Sequence, residues 1–257
     1  MDIKEKITAV QKVCGTHINL SDPIVCEIMS SVGYDFLWVD MEHTSMSPNE
    51  VYHHILASKH DKTPVFVRVP VDDLTAIKKV LEMGVDGIIF PMVRDSEHAK
   101  QLLDYTLYPP YGKRGCGPKG AVRYNPENEV YYYGEGHLKM CRFVQIELKS
   151  AAEDAERIAN LSYLDGCILG MHDLSGSIGR LGDIFCEENL YLAKKAISAF
   201  KKAGKTVGVS TFATDEETLK RYDSMGINMI STGADYDYIL KKSKETLGTI
   251  NKIQDRR

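Results

Sequence analysis

Residues 64–93 read PVFVRVPVDDLTAIKKVLEMGVDGIIFPMV, and the succession of patterns within them decides the fold. Pro64–Val69 is rich in β-branched and aromatic residues, as a strand requires. Leu74–Met83 then places Leu74, Ile77, Val80 and Leu81 on one helical face. Gly84 stops that helix, and Gly87–Pro91 (GIIFP) begins a second short apolar run of strand type. Strand, helix, strand in 30 residues is the unit of a parallel α/β sheet.

The same rhythm extends in both directions. Upstream, Val13–Ile18 reads as a strand and Asp22–Ser31 as a helix, capped by Ser21 or Asp22 and ended at Gly33. Phe36–Asp40 (FLWVD) is the next strand. Pro48–Lys59 is the next helix, with Ser47 and Glu50 spaced as a capping box. Downstream, Ser96–Tyr105 is helical, whereas residues 106–137 hold no period and are expected to form a long βα loop. Cys141–Glu147, Gly166–Leu169, Thr206–Ser210 and Ile227–Ser231 read as further strands. They alternate with helices at Ala151–Ala159, Glu187–Ala203, Glu216–Ser224 and the tail from Tyr236. Along Glu187–Ala203 the stripe Leu190, Ala193, Ala196, Ile197, Phe200 is the barrel-facing side. Eight such units in 257 residues match a single-domain (β/α)8 TIM barrel. An open doubly wound sheet would carry a Gly-rich first turn, which this chain lacks.

Composition narrows the partners. With 32 basic and 36 acidic residues the chain has a formal net charge of -4, so neither nucleic acid nor an anionic membrane is an expected partner. The tyrosines at 131–133 accordingly read as loop packing or a subunit contact. No apolar run is long enough to span a bilayer, and the first residues lack a secretory profile. The six cysteines include no CxxC pair. A cytoplasmic protein with reduced thiols is the expectation.

In such a barrel the active site lies at the carboxyl-terminal ends of the strands. There the sequence places Asp40, Glu42 and His43 after the second strand, Arg68 at the end of the third, Gln145 and Glu147 on the fifth, and His172 and Asp173 after the sixth. Taken singly, Asp173 could be a helix cap, His43 a hydrogen-bonded loop residue and Arg68 a partner in a stabilising ion pair. Jointly they point at one mouth. Gln145 and Glu147, two apart on a strand, face the same side. Burying a glutamate costs several kcal/mol unless it is paired or ligates a metal. Glu147 and Asp173 therefore form a candidate oxygen-ligand pair for Mg²⁺ or Mn²⁺.

The segments WVDMEHTSMS (38–47), VRVPVDD (67–73), GVDGIIFPMV (84–93), YPPYGKRGCG (108–117), VQIELKSA (144–151) and DGCILGMHDLSGSIG (165–179) together resemble the HpcH/HpaI aldolases. The resemblance covers roughly residues 12 to 240. It implies a (β/α)8 barrel that cleaves 4-hydroxy-2-oxo acids to pyruvate and an aldehyde, using Mg²⁺, Mn²⁺ or Co²⁺ held by Glu147 and Asp173. It further implies His43 as base, Arg68 as substrate-binding cation, Asp40 as a supporting carboxylate and Gln145 as a polar contact to substrate. Backbone amides of the Gly170, Met171 and His172 turn would receive the substrate carboxylate. A homo-oligomer, with a hexamer as the family's suggestion, also follows. Two positions depart from the family pattern. The turn before Asp173 lacks a Gly-Pro pair, and Glu82 stands where an aspartate would orient the histidine.

The chemistry accounts for these residue types. A cation polarising the ketone and an arginine beside it would stabilise enolate charge. A histidine, with an ordinary pKa near about 6.5, exchanges protons around neutrality. Arg114 or Arg123 would reach the far end of an acidic aldehyde. Three other readings remain open: a Schiff-base aldolase through Lys149, an acyl-CoA lyase of the citrate lyase β-subunit type, and a non-catalytic binding barrel.

Overall fold

The computed structural model describes residues 1–255. Its strands are β1 (Val13–Ile18), β2 (Phe36–Asp40), β3 (Val65–Arg68), β4 (Gly87–Phe90), β5 (Cys141–Ile146), β6 (Gly166–Leu169), β7 (Thr206–Thr211) and β8 (Met229–Ala234). They close in sequence order into one parallel barrel, with β8 pairing back onto β1. The helices are α1 (Ile3–Thr8), α2 (Ile24–Val32), α3 (Pro48–Ala57), α4 (Leu74–Glu82), α5 (Ser96–Asp104) and α6 (Glu129–Gly134). They continue as α7 (Lys149–Glu153), α8 (Ala155–Ala159), α9 (Met171–Ser177), α10 (Glu187–Lys202), α11 (Glu216–Ser224) and α12 (Asp235–Ile253). The (β/α)8 expectation is met as a single domain. Among the described residues no helix is long and apolar enough to cross a membrane.

Local chemistry explains most boundaries. Ser47 and Glu50 form the expected capping box of α3. Gly33 closes α2 in the left-handed region at φ 99°. The α2 cap differs from expectation: Pro23 is the cap residue, and Asp22 instead accepts the Ile24 amide at 3.0 Å. The helix expected over Ala151–Ala159 is two short helices, α7 and α8, that meet at Asp154. The last strand starts at Met229 rather than Ile227. On α4, Ile77, Val80 and Leu81 are buried but Leu74 is exposed. The α10 stripe is inward-facing as read, with Leu190 only partly covered.

Side chains alternate between two cores. Outward residues such as Leu37, Val39, Val65, Val67, Val207 and Val209 pack under the helices. Inward residues fill the barrel, among them Phe36, Trp38, Phe66, Phe143, Ile168 and Met229. The filling depends on a repeated pairing. Phe36 lies in register with Gly15, Phe66 with Gly87 and Phe143 with Gly166. In each pair the ring occupies the space a β-carbon on the neighbouring strand would need. Phe36 and Phe66 stack at 4.9 Å between centroids, and Phe66 meets Phe143 at 5.7 Å. These rings form a solid floor beneath the carboxyl-terminal mouth.

Residues 106–137 follow α5 and lead into β5. The segment is therefore an αβ connection at the amino-terminal end of the barrel, not the βα loop expected, because α5 has already carried the chain back down. Tyr108 packs edge-on against Tyr132 and Tyr133, with the Arg114 guanidinium 4.6 Å from its ring.

A β-carbon added at Gly87 would lie 2.5 Å from the Phe66 ring. Gly87→Ala is expected to lower stability by about 1–3 kcal/mol through overpacking. Adding Phe66→Leu should return part of that loss; purely additive urea-denaturation effects would show that ring and glycine are not coupled.

Candidate active site at the barrel mouth

The side chains at the carboxyl ends of β2, β3 and β5 form one hydrogen-bonded chain. Arg68 donates from Nε to Asp40 Oδ1 at 2.9 Å and from Nη2 to Oδ2 at 2.6 Å, a bidentate fork. Its Nη1 lies 3.0 Å from Glu42 Oε2 and donates to Gln145 Oε1 at 3.4 Å. Gln145 in turn donates from Nε2 to Glu147 Oε2 at 2.8 Å. The Met92 amide donates to the other Glu147 oxygen. Asp40, Arg68, Gln145 and Glu147 are all buried, and Glu147 is only 1% exposed.

Their electrostatics are unbalanced. Burial works to raise Asp40, but the hydrogen bonds and charge of Arg68 outweigh it and hold its carboxyl below the usual range. Burial also raises Glu42, with Asp40 and Asp173 adding repulsion. Glu147 is pushed up to about 7, by burial first and then by the charges of Glu42 and Asp173. Four carboxylates thus share one guanidinium.

Asp173 sits in the first turn of α9, whose cap is Gly170. A β-carbon at Gly170 would fall 2.4 Å from Glu147 Oε2, so only glycine lets this turn approach the carboxylate. The Met171 side chain is buried beneath the turn, while His172 and Asp173 are exposed. Met171 can therefore offer substrate only its backbone.

Donor chemistry bears on a metal. Glu147 and Asp173 offer oxygens alone, and the repulsion that adds to burial in lifting Glu147 is what a bound divalent cation would relieve. Among the described residues no group of three His, Cys, Asp or Glu side chains is arranged to hold an ion. The pair would leave coordination positions for water and substrate.

His43 is at the rim, its side chain 64% exposed and its Nε2 3.7 Å from Glu42 Oε2. Glu82 is not brought to it. Glu82 ends α4 at the opposite end of the barrel, where Arg114 reaches it at 3.4 Å. The carboxylate beside His43 is Glu42, which the sequence places at the mouth in the same DMEH run but to which it assigns no role. Arg114 is buried at that far end, where it donates to the Leu81 carbonyl at 3.0 Å. Neither it nor Arg123, in the same connection, joins the mouth. Lys149 pairs with Glu188 on the exterior at 3.4 Å rather than facing Arg68. A hollow of about 900 Å³ between α3 and α4, lined in part by Tyr52, Lys78, Glu82 and Tyr124, also lies outside the barrel. The mouth, unlike this hollow, lies at the carboxyl-terminal ends of the strands, where this fold builds its active sites.

A second feature missed in the sequence is His17 of β1, which is 2% exposed and faces into the barrel. Its ring lies 5.2 Å from that of Trp38, and Arg68 sits 5.6 Å from the same indole.

Fold and mouth define the class: a (β/α)8-barrel enzyme with a carboxylate–arginine site at the strands' carboxyl ends. The family described as HpcH/HpaI aldolase/citrate lyase matches residues 14–241. The chain is 32% identical to a hydroxypyruvate/pyruvate aldolase of Deinococcus radiodurans over 94% of its length and 86% of the relative's. It is 28% identical to a 2-keto-3-deoxy-L-rhamnonate aldolase of Escherichia coli over 90% of its length and 86% of the relative's. The crystal structure of an HpcH/HpaI aldolase from Desulfitobacterium hafniense superposes with a TM-score of 0.89 at 26% identity, covering 98% of this chain and 97% of that one. The chain belongs to the HpcH/HpaI aldolase/citrate lyase family, and its enzyme class is that of a carbon–carbon lyase.

Burial pushes His17 down to about 4. Free histidine titrates near about 6.5, so between these values the unfolded chain binds a proton that the folded chain refuses. This contribution to stability is intact above pH 6.5 and is lost progressively as pH falls toward 4. Glu147 acts in the opposite sense, since its folded value of about 7 exceeds the ordinary value and favours the folded state as pH falls. The His17 part is read as a difference. From pH 7 to pH 5 the urea midpoint should fall less in His17→Gln than in the parent chain, and an equal fall would remove the assignment.

Proposed function

We propose that the protein is a class II aldolase that reversibly cleaves a 4-hydroxy-2-oxo acid into a pyruvate-type 2-oxo acid and an aldehyde. The observation that carries this reading is a buried arginine fixed beside a buried glutamate in a mouth holding more negative charge than the arginine balances. Glu147 and Asp173 would hold a divalent ion, Mg²⁺ or Mn²⁺ with Co²⁺ as a third choice. When bound, that ion supplies Lewis-acid stabilisation of negative charge on the ketone oxygen.

The chain's own residues do the rest. Arg68 cannot swing away, because Asp40 grips two of its nitrogens, so its charge is preorganised for the developing enolate. Gln145 orients Glu147 and ties it to Arg68. The α9 turn of Gly170, Met171 and His172 presents backbone amides suited to a carboxylate. In the cleavage direction His43 takes the proton of the C4 hydroxyl, with the Glu42 carboxylate 3.7 Å from its Nε2 to orient the ring. The named relatives support 2-oxo acids related to pyruvate as substrates.

A lactate-dehydrogenase-coupled assay should show pyruvate release from 4-hydroxy-2-oxo acids with Mg²⁺ or Mn²⁺ and its loss with EDTA. Glu147→Ala and Asp173→Ala should each lower kcat/KM by about 10²–10³ or more, and His43→Ala by about 10²–10⁴, with the fold retained. EDTA-resistant turnover would sink the metal-dependent reading.

The protein is also proposed to work as a homo-oligomer, with a hexamer as the expected size. Along α12 only Asp235 is buried, while Ile239, Leu240, Leu247, Ile250 and Ile253 are exposed. The barrel wall beside β1 and β8 holds a hollow of about 240 Å³ lined by Cys14 and Ile230. A second copy would cover such apolar surface. Light scattering coupled to size exclusion should give a multiple of the chain mass, and a strict monomer at micromolar concentration refutes this.

A further inference from the structure

Charged groups occupy only part of the mouth. Asp40, Arg68, Glu147 and Asp173 come from β2, β3, the end of β5 and the turn after β6. The remaining arc, β7, β8 and β1, faces inward with Ser210, Ser231 and His17, and Phe212 stands at its rim.

His17 is held at both ring nitrogens. Nδ1 lies 2.7 Å from the Gly233 carbonyl oxygen, and Nε2 lies 2.9 Å from Ser210 Oγ. A carbonyl only accepts, so Nδ1 carries the hydrogen. The ring is neutral near pH 7, which leaves Nε2 an acceptor. Ser210 must then donate its single hydrogen to Nε2. Its oxygen retains only lone pairs for any other partner. His17 is buried, yet Ser210 is half-exposed, so those lone pairs are reachable from the mouth. Trp38 and Phe212 clamp the imidazole, with centroids at 5.2 and 5.1 Å. The wall is also short of polar partners: Ser231 Oγ, in register beside Ser210, and Trp38 Nε1 are buried with no hydrogen-bond partner among the described residues.

We propose that Ser210, oriented by His17, accepts a hydrogen bond from a hydroxyl on the carbon next to the ketone of the 2-oxo acid, selecting a hydroxylated three-carbon donor over its methyl analogue. A substrate gripped by its carboxylate and ketone on the charged arc turns its third carbon to the uncharged arc. There an oxygen that can only accept distinguishes an O–H from a methyl group. Ser210 is the contact and His17 a positioning residue. This assignment rests on the aldolase reading above.

The test compares 3-hydroxypyruvate and pyruvate as donors to glycolaldehyde, with Mg²⁺, in the full-length protein. In Ser210→Ala the ratio of kcat/KM for 3-hydroxypyruvate to that for pyruvate should fall about tenfold. Ser210→Thr, which keeps the hydroxyl, should restore most of it, and His17→Gln should lower it chiefly through KM. An unchanged ratio in Ser210→Ala overturns the inference, including the case where both activities fall together. If the parent protein makes no aldol product from either donor, the aldolase reading fails. Calorimetric binding of the two acids then decides the inference alone. Selective weakening of 3-hydroxypyruvate in Ser210→Ala supports it, and equal weakening refutes it.

Discussion

Arg68 is a cation buried beneath a rim of carboxylates and locked to Asp40 through two parallel hydrogen bonds. Breaking such a buried pair from one side costs about 3–5 kcal/mol, so the guanidinium stays where the barrel puts it. That fixity imposes an electrostatic constraint on the rest of the mouth. One positive charge is shared between Asp40 and Glu42, while Glu147 and Asp173 remain with little to offset them. Burial and mutual repulsion lift Glu147 toward neutrality. A 2-oxo acid is itself an anion, and such a mouth alone would repel it. A divalent cation, if held by Glu147 and Asp173 as proposed, would reverse the sign of that interaction, so the proposed donor set and the proposed substrate class support one another.

The apolar layer beneath makes the polar layer dependable. Phe36, Phe66 and Phe143 fill the barrel against glycines on adjacent strands, leaving the mouth a closed floor. With no room below, Arg68, Gln145 and Glu147 must satisfy one another laterally. Gly170 performs the matching task from above by letting the α9 turn close on Glu147 without a side chain between them. The hydrogen-bond chain across β2, β3 and β5 therefore follows from packing as much as from charge.

Much of this was legible in the residues. The eight apolar runs and their glycine stops mark the barrel because strand and helix periods differ and because Gly33, Gly84, Gly204 and Gly226 take left-handed backbone at helix ends. Strand-end position singled out Asp40, Arg68, Gln145 and Glu147, and the structure links all four. What misled was direction. Residues 106–137 look like an active-site loop by length, but they follow a helix, so they lie at the far end. Glu82 is displaced within its own chain for the same reason: α4 carries it some eight residues away from that chain's mouth, about 12 Å at the helical rise. His17 was invisible because a histidine in VCGTHI has no sequence mark of facing inward. Only its register beside the strand carrying Gly233 shows what it bonds.

A neutral His17 matters to the polarity of the mouth. Were it charged, the barrel would hold a second buried cation across Trp38 from Arg68, and an anionic acid could bind in either orientation. Burial suppresses that charge, while the Gly233 carbonyl fixes which nitrogen keeps the proton. In the proposed reaction the same burial would leave one arc to receive a carboxylate and ketone and the other to read hydrogen bonds. An aldolase must hold its donor one way round, because only one carbon becomes the nucleophile. Under the proposed reaction, the separation of a charged arc from a neutral one would supply that orientation.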